Sequence, residues 1–333
     1  KLWNKNLKKK IVLVAEIGVN HEGSVVRAKK IITDAKKGGA DAIKLQVFTP
    51  EKYISSDNKE GLKRINKFFL SKEKVIELIK FCKKKKINVF FTPITEDWVN
   101  FCANNSEVIK IASGDLNSDY LIKKVLKKNK KIILSTGLSS LDEINRTVNL
   151  IKKYKKKLIS SLILLHCVSE YPVPSERAQL NSIKYLKKKF KLTIGYSNHV
   201  KNGILACITA AALGARVIEF HFTDNKNRKF RDHQLSLDVK DLLKLRSFID
   251  NQNKMLGVVD KKVNKFEKKN KLLFQKGLIA SKNIALGENF NIKNIGYARS
   301  AIYFTANQIG QILKKKSKRN IYAGELIKTS DII

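Results

Sequence analysis

The chain has no apolar run near the ~20 residues that a membrane-spanning helix needs. That excludes a helical membrane protein. Cysteine is scarce, with four in 333 residues (Cys82, Cys102, Cys167 and Cys207), and none stands at a paired metal-ligand spacing. A disulfide framework and a Cys-based zinc site are therefore not expected, and a cytoplasmic setting is. Acidic residues are few, 29 against 68 Lys and Arg, which leaves a net charge of +39. Only ten of the basic residues are Arg. The Lys cluster at 83–86, 127–131, 152–157, 187–191 and 314–316, in helical stretches where they decorate solvated faces. No helix-turn-helix, zinc finger or basic stripe with interleaved aromatics accompanies them, so no specific nucleic-acid partner is expected. The charge still draws anionic substrates inward. The basic start, Lys1 to Lys10, has the look of a signal peptide, but Glu16, His21 and Glu22 interrupt the apolar run behind it. It reads as a leader into the first strand.

What the chain does have is eight short apolar runs, each ending in polar residues. They begin at Ile11, Ala42, Val89, Val108, Ile132, Leu162, Leu192 and Val217. Continuous apolar runs suit strands buried on both faces, as in a parallel sheet. Helical patterns separate them: Val25 to Lys37, Lys72 to Lys83 behind Ser71, a stretch opened by Ser140 and Glu143 as a capping box, Gly203 to Gly214, and Lys240 to Asn251. The expected fold is an α/β (β/α)8 TIM barrel over residues 1–257, a size this fold commonly takes. Residues 48–86 contain Pro50, Ser55-Ser56-Asp57 and Gly61 and read as an extended loop over the mouth. A Lys-rich linker is expected over 258–271, then a small β-rich domain over 272–333. That domain has β-like pieces at 277–280, 285–288, 296–300, 309–313 and 323–327, and repeats an "apolar, Gly, Glu" phrase at Gly287-Glu288 and Gly324-Glu325.

In a barrel of this kind chemistry sits at the strand C-termini. All five His (21, 166, 199, 221 and 233) lie in or just after such ends. His199 and His221 would end neighbouring strands 7 and 8. Two imidazoles leave positions open to water and oxygen ligands, which suits a catalytic divalent cation. Lys44, Thr92, Lys110, Ser113, Ser135 and Thr136 end strands 2 to 5, and Lys charges with short hydroxyls suit a phosphate and a carboxylate. The competing expectation is a Lys neutralised by a nearby carboxylate such as Glu16 or Asp115. Glu16, Glu219 and Asp232 are candidates to orient water or sugar, or to move a proton.

Taken in order, these motifs resemble the sialic acid synthase family. They are Ala15-Glu-Ile-Gly-Val-Asn-His-Glu-Gly23, Ile43-Lys-Leu-Gln46, Phe91-Thr-Pro93, Lys110-Ile-Ala-Ser-Gly-Asp115, Ser135-Thr-Gly137, Leu165-His-Cys-Val-Ser-Glu-Tyr-Pro172, Gly195-Tyr-Ser-Asn-His199 and Glu219-Phe-His-Phe-Thr223. The tail resembles the antifreeze-like (SAF) domain that follows the barrel in that family. The resemblance implies condensation of phosphoenolpyruvate with an N-acetylated amino sugar to a nine-carbon 2-keto-3-deoxy acid, with release of phosphate. It implies Mn2+ or Mg2+ on His199 and His221. Lys44, Thr92, Lys110, Ser113, Ser135, Ser169 and Ser197 would hold phosphoenolpyruvate, with Glu16, Glu219 and Asp232 as catalytic carboxylates. Gln46 and Tyr171 would meet the sugar. So would Arg299, reaching the partner's site in a domain-swapped homodimer. N-acetylmannosamine leads as acceptor, ahead of the legionaminate and pseudaminate precursors. Four departures from the family pattern bear on the acceptor: Phe220, Asn198, Ser169 and Phe230-Arg231. A sugar- or nucleic-acid-binding barrel without activity is the reading from another class, and the retained His pair and Lys pair argue against it.

Overall fold

The computed structural model describes residues 1–333 apart from residues 155, 230 and 258 and the side chains of 156–158 and 231. Two compact units result, 1–257 and 258–333. In the first, eight parallel strands close a barrel in chain order. They are β1 (Val12–Glu16), β2 (Ala42–Val47), β3 (Asn88–Pro93), β4 (Val108–Ile111), β5 (Lys131–Ser135), β6 (Leu162–Cys167), β7 (Thr193–Asn198) and β8 (Val217–His221). The ring closes where β8 pairs with β1, from Val12 opposite Val217 to Glu16 opposite His221.

The continuous apolar runs are explained by two cores, one on each face of the strands. Side chains alternate across a strand. Val12, Val14, Ala42, Phe90, Val108, Ile133, Ile163, Leu165 and Val217 fill the barrel interior. Their chain neighbours, among them Leu13, Ile43, Phe91, Ile109, Leu134, Leu164, Ile218 and Phe220, pack outward against the helices. The leader does more than lead: Leu2, Trp3 and Leu7 join the inner core, and the Trp3 ring sits 5.1 Å from Phe90. It plugs the floor of the barrel.

Helix starts follow local chemistry. Helix Val25–Gly38 is capped by Ser24, which accepts from the Arg27 amide, and helix Lys72–Lys84 by Ser71. Ser140 and Glu143 form the expected reciprocal box ahead of Leu141–Tyr154, with the Ser140 amide donating to Glu143 Oε2 at 2.7 Å. The last barrel helix, Val239–Leu256, runs five residues past the expected end and opens on an Asp238–Asp241 box. The segment read as an extended loop, 48–86, instead holds two more helices, Pro50–Tyr53 and Lys59–Asn66. Asn58 caps the second by accepting from the Gly61 amide at 2.8 Å. No helix among the described residues is long and apolar enough to cross a membrane.

In the second unit, Lys265–Phe274 is a helix capped by Asn264, where the Lys-rich composition suggests a linker. It is followed by the antiparallel pair β9 (Lys276–Ala280) and β10 (Ile295–Arg299). Leu278, Ala280, Ile284, Phe290, Ile295, Ile312, Ile321 and Ile327 make a small core of its own. The repeated phrase becomes two turns with left-handed glycines, Gly287 at φ 79° and Gly324 at φ 89°. Residues 309–313 are not a strand, because Ala306–Gln311 forms a 3-10 helix capped by Thr305.

Candidate active site

The inward alternation that fills the barrel with Val and Ile turns polar at the strand C-termini. Glu16 continues Val12 and Val14, Lys44 and Gln46 continue Ala42, and Thr92 follows Phe90. In the same way Lys110 follows Val108, Ser135 follows Ile133, and Glu219 and His221 follow Val217. All of these polar residues but Glu16 line a cavity of about 370 Å3.

At its base lies a buried charge cluster. Lys44 Nζ is 2.6 Å from Glu16 Oε2 and 2.7 Å from Glu219 Oε1. Lys110 Nζ is 3.8 Å from the same Glu219 oxygen, which also accepts from Ser197 Oγ at 3.1 Å. Burial, reinforced by the Lys110 charge, pulls Lys44 down to about 8 against the attraction of Glu219. Burial pushes Glu219 up, but the Lys110 and Lys44 charges outweigh it and hold the carboxyl well below the usual range. Above the cluster, Thr92 Oγ1, Ser135 Oγ and Ser169 Oγ are buried with no hydrogen-bond partner among the described residues. Leaving a buried hydroxyl unpaired costs roughly 1–3 kcal/mol. Three such hydroxyls beside two lysines are a cradle shaped for an acceptor-rich ligand. Ser113 Oγ stands beside them, accepting from the Gly137 amide at 3.2 Å and donating to Cys167 Sγ at 3.6 Å.

The His pair lines the same cavity. The rings of His199 and His221 lie 5.4 Å apart, and Tyr171 covers His199 at 4.2 Å. His199 Nδ1 donates to the Val168 carbonyl at 2.7 Å, which leaves the Nε2 lone pair for a metal. Asp232 Oδ2 is 3.7 Å from His221 Nδ1. No group of three or more His, Cys, Asp or Glu among the described residues could hold a metal ion by itself. The fit is therefore to a cation that takes its remaining ligands from water or substrate oxygen, as open catalytic sites do.

Most of the expected site residues line this one cavity: Lys44, Thr92, Lys110, Ser113, Ser135, Ser169, Ser197, Gln46, Tyr171, His199, His221, Glu219 and Asp232. Two do not. Glu16, 1 % exposed, lies behind Lys44 as its ion partner, so both expectations for that lysine meet in it. Arg299 ends β10 in the second unit, with its guanidinium 5.7 Å over the Phe274 ring. Thr136 turns away and donates to the Leu165 carbonyl. Three of the five His are structural. His166 Nε2 lies 2.8 Å from the Ala178 carbonyl. His21 accepts from the Gly23 amide, and His233 sits between Thr223 and Glu22.

Two of the sequence departures face the wrong way to touch a substrate. Phe220 is in the outer core, and Asn198 is held by Tyr196 and the Val200 carbonyl. Phe230 and the Arg231 side chain lie outside the described residues. The residues missed from sequence are Tyr53, Ile54, Arg64, Ile65 and Phe68, all on the cavity wall. The spacing of Leu62, Ile65 and Phe68–Phe69 carried a helical signal for this segment.

A family profile, described as the NeuB family, matches residues 31–261. The chain is 37% identical over 334 residues to an N,N'-diacetyllegionaminic acid synthase of Campylobacter jejuni, covering 96% of this chain and 99% of that one. It is 33% identical over 347 residues to a pseudaminic acid synthase of the same species, covering 99% of each. Among solved structures, an N-acetylneuraminic acid synthetase of Leptospira borgpetersenii, crystallised with citrate, superposes with a TM-score of 0.74. It shares 33% identity, over 78% of this chain and 90% of that one.

Proposed function

Since this chain belongs to the NeuB family, we propose that it condenses phosphoenolpyruvate with the open-chain aldehyde of an N-acetylated amino sugar. The product is a nine-carbon 2-keto-3-deoxy sugar acid, and phosphate is released. The observation that carries this reading is the cradle: Thr92, Ser135 and Ser169 hydroxyls without partners beside Lys44 and Lys110. That donor set suits the phosphate and carboxylate of phosphoenolpyruvate.

His199 and His221 would hold a divalent cation, Mn2+ or Mg2+, which as a Lewis acid polarises a carbonyl oxygen. The remaining work falls to the chain. Lys110, Ser113, Ser135, Ser169 and Ser197 orient phosphoenolpyruvate so that its C3 attacks the aldehyde carbon. A C–C bond forms, the aldehyde oxygen becomes a hydroxyl, and positive charge develops at C2. Water adds at C2: one of its protons supplies the new hydroxyl, and the other leaves with phosphate as the C2–O bond to phosphate breaks and C2 becomes a ketone. Glu219 and Asp232 orient the water and the sugar hydroxyls. Glu16 acts through Lys44, by fixing where its ammonium sits. Gln46 and Tyr171 meet the sugar. Arg299 would complete the partner's sugar site in a domain-swapped homodimer, and the cytoplasm is the expected compartment.

The test is phosphate release from phosphoenolpyruvate with Mn2+, offering N-acetylmannosamine and the legionaminate and pseudaminate precursors in parallel. Release with one sugar, lost in His221→Ala, is the expected result. No release with any sugar, in protein that retains metal, would refute the proposal.

A further inference from the structure

Among the described residues, three lysine or arginine side chains line the cavity: Lys44, Lys110 and Arg64. Lys44 lies between the carboxylates of Glu16 and Glu219, and Lys110 shares Glu219. Two buried cations against two buried carboxylates leave the base of the cavity rich in hydrogen-bond donors but nearly balanced in charge. Arg64 differs from both. It sits in the last turn of helix Lys59–Asn66, between the strands that carry Lys44 and Thr92, with Ile65 and Phe68 beside it on the wall. It makes no ion pair and no side-chain hydrogen bond among the described residues, although Glu60 stands one helical turn away. Six of the other nine arginines are paired, while Arg216 and Arg299 have no carboxylate partner among the described residues. Arg27, Arg146, Arg177, Arg228, Arg246 and Arg319 each meet a carboxylate.

Resting on the function proposed above, we infer that Arg64 is a specificity-determining residue: a cation of the cavity with no ion pair among the described residues, which recognises a phosphate monoester on a substrate. A guanidinium presents a planar fork that matches phosphate oxygens two at a time, and a lysine cannot reproduce this. Arg64 is exposed at the mouth, with Ile54, Ile65 and the buried Phe68 beside it on the wall. The phosphate has two sources. It is that of phosphoenolpyruvate on its way to the cradle, or one carried on the terminal hydroxyl of the acceptor sugar.

Arg64→Ala, Arg64→Gln and Arg64→Lys separate these. Steady-state phosphate release is measured against phosphoenolpyruvate, and against an acceptor with and without a terminal phosphate. The expected result is a KM for the phosphate-bearing substrate raised about 10- to 100-fold in the Ala and Gln variants, with kcat within about threefold and Arg64→Lys falling between them and wild type. A rise for phosphoenolpyruvate alone assigns the contact to it. A rise only for the phosphorylated acceptor assigns it there. Unchanged KM for all three substrates in variants that melt like wild type overturns the inference. A second readout does not need turnover: phosphoenolpyruvate or the phosphorylated sugar should raise the melting temperature of wild type more than that of Arg64→Ala. If wild type releases no phosphate at all, the proposed reaction fails. A differential melting shift would still uphold Arg64 as the phosphate contact, and its absence would overturn that too.

Discussion

Replacing Lys44 with Met removes the cation between Glu16 and Glu219 without leaving a hole. The three side chains are 6 %, 1 % and 5 % exposed, so water cannot substitute for the lost ammonium. Lys110 still stands 3.8 Å from Glu219, but Glu16 loses its partner at 2.6 Å. Breaking a buried pair by removing one partner costs about 3–5 kcal/mol, mostly the penalty on the stranded charge. For a unit of this size each kcal/mol is worth about 2–4 °C, so the melting temperature should fall by about 6–20 °C. The stranded carboxylate identifies itself in a second variant. Lys44→Met with Glu16→Gln removes the excess negative charge and should recover at least half of the loss. Thermal melts at pH 7.5 without substrate read both numbers, and neither variant should release phosphate. A loss below about 1 kcal/mol, or a double variant no more stable than the single, would refute the argument that Glu16 exists to hold Lys44.

The cradle and its neighbouring carboxyl offer two more tests. A Cβ added at Gly137 would lie 2.4 Å from Ser169 Oγ and 2.8 Å from Ser113 Oγ. Gly137→Ala should therefore raise the KM for phosphoenolpyruvate about tenfold or more while costing only about 1–3 kcal/mol in a thermal melt. An unchanged KM would mean that those hydroxyls do not touch the substrate. Burial raises Asp115 to about 6, against the pull of Lys110. A carboxyl raised in the folded state binds its proton more tightly there. Its contribution is present at acid pH and is lost as pH rises from the ordinary carboxylate range through the folded-state value. Asp115→Asn should accordingly raise the melting temperature at pH 7.5 by an amount worth about 1–3 kcal/mol, with the gain vanishing towards about pH 4. A gain that is equal at both pH values would point to packing instead.

The sequence by itself determined the barrel. Strands buried on two faces must be apolar throughout, and only a polar break at each C-terminus interrupts that rule, so the eight runs and their signatures were legible together. Helix starts were legible for the same local reason: Ser71 and the Ser140–Glu143 box satisfy amides within one turn. The cradle proposed to hold phosphate was legible because short hydroxyls and lysines are costly at buried strand ends unless they serve a ligand.

Other features required the tertiary structure. That Lys44 answers to Glu16 depends on the β1–β2 register, which sets the two opposite each other across distant parts of the chain. Which two of the five His reach the cavity depends on what the others find to bond. The Ala178 carbonyl takes His166, and Thr223 with Glu22 takes His233. Phe220 and Asn198 fell to the outer layer through the parity of their strands, which neighbouring motif residues do not reveal. The helix bearing Arg64 is short and polar and stands between turns. Only its packing at the barrel mouth, with Ile65 and Phe68 against the cavity, decided that this segment is wall and not loop.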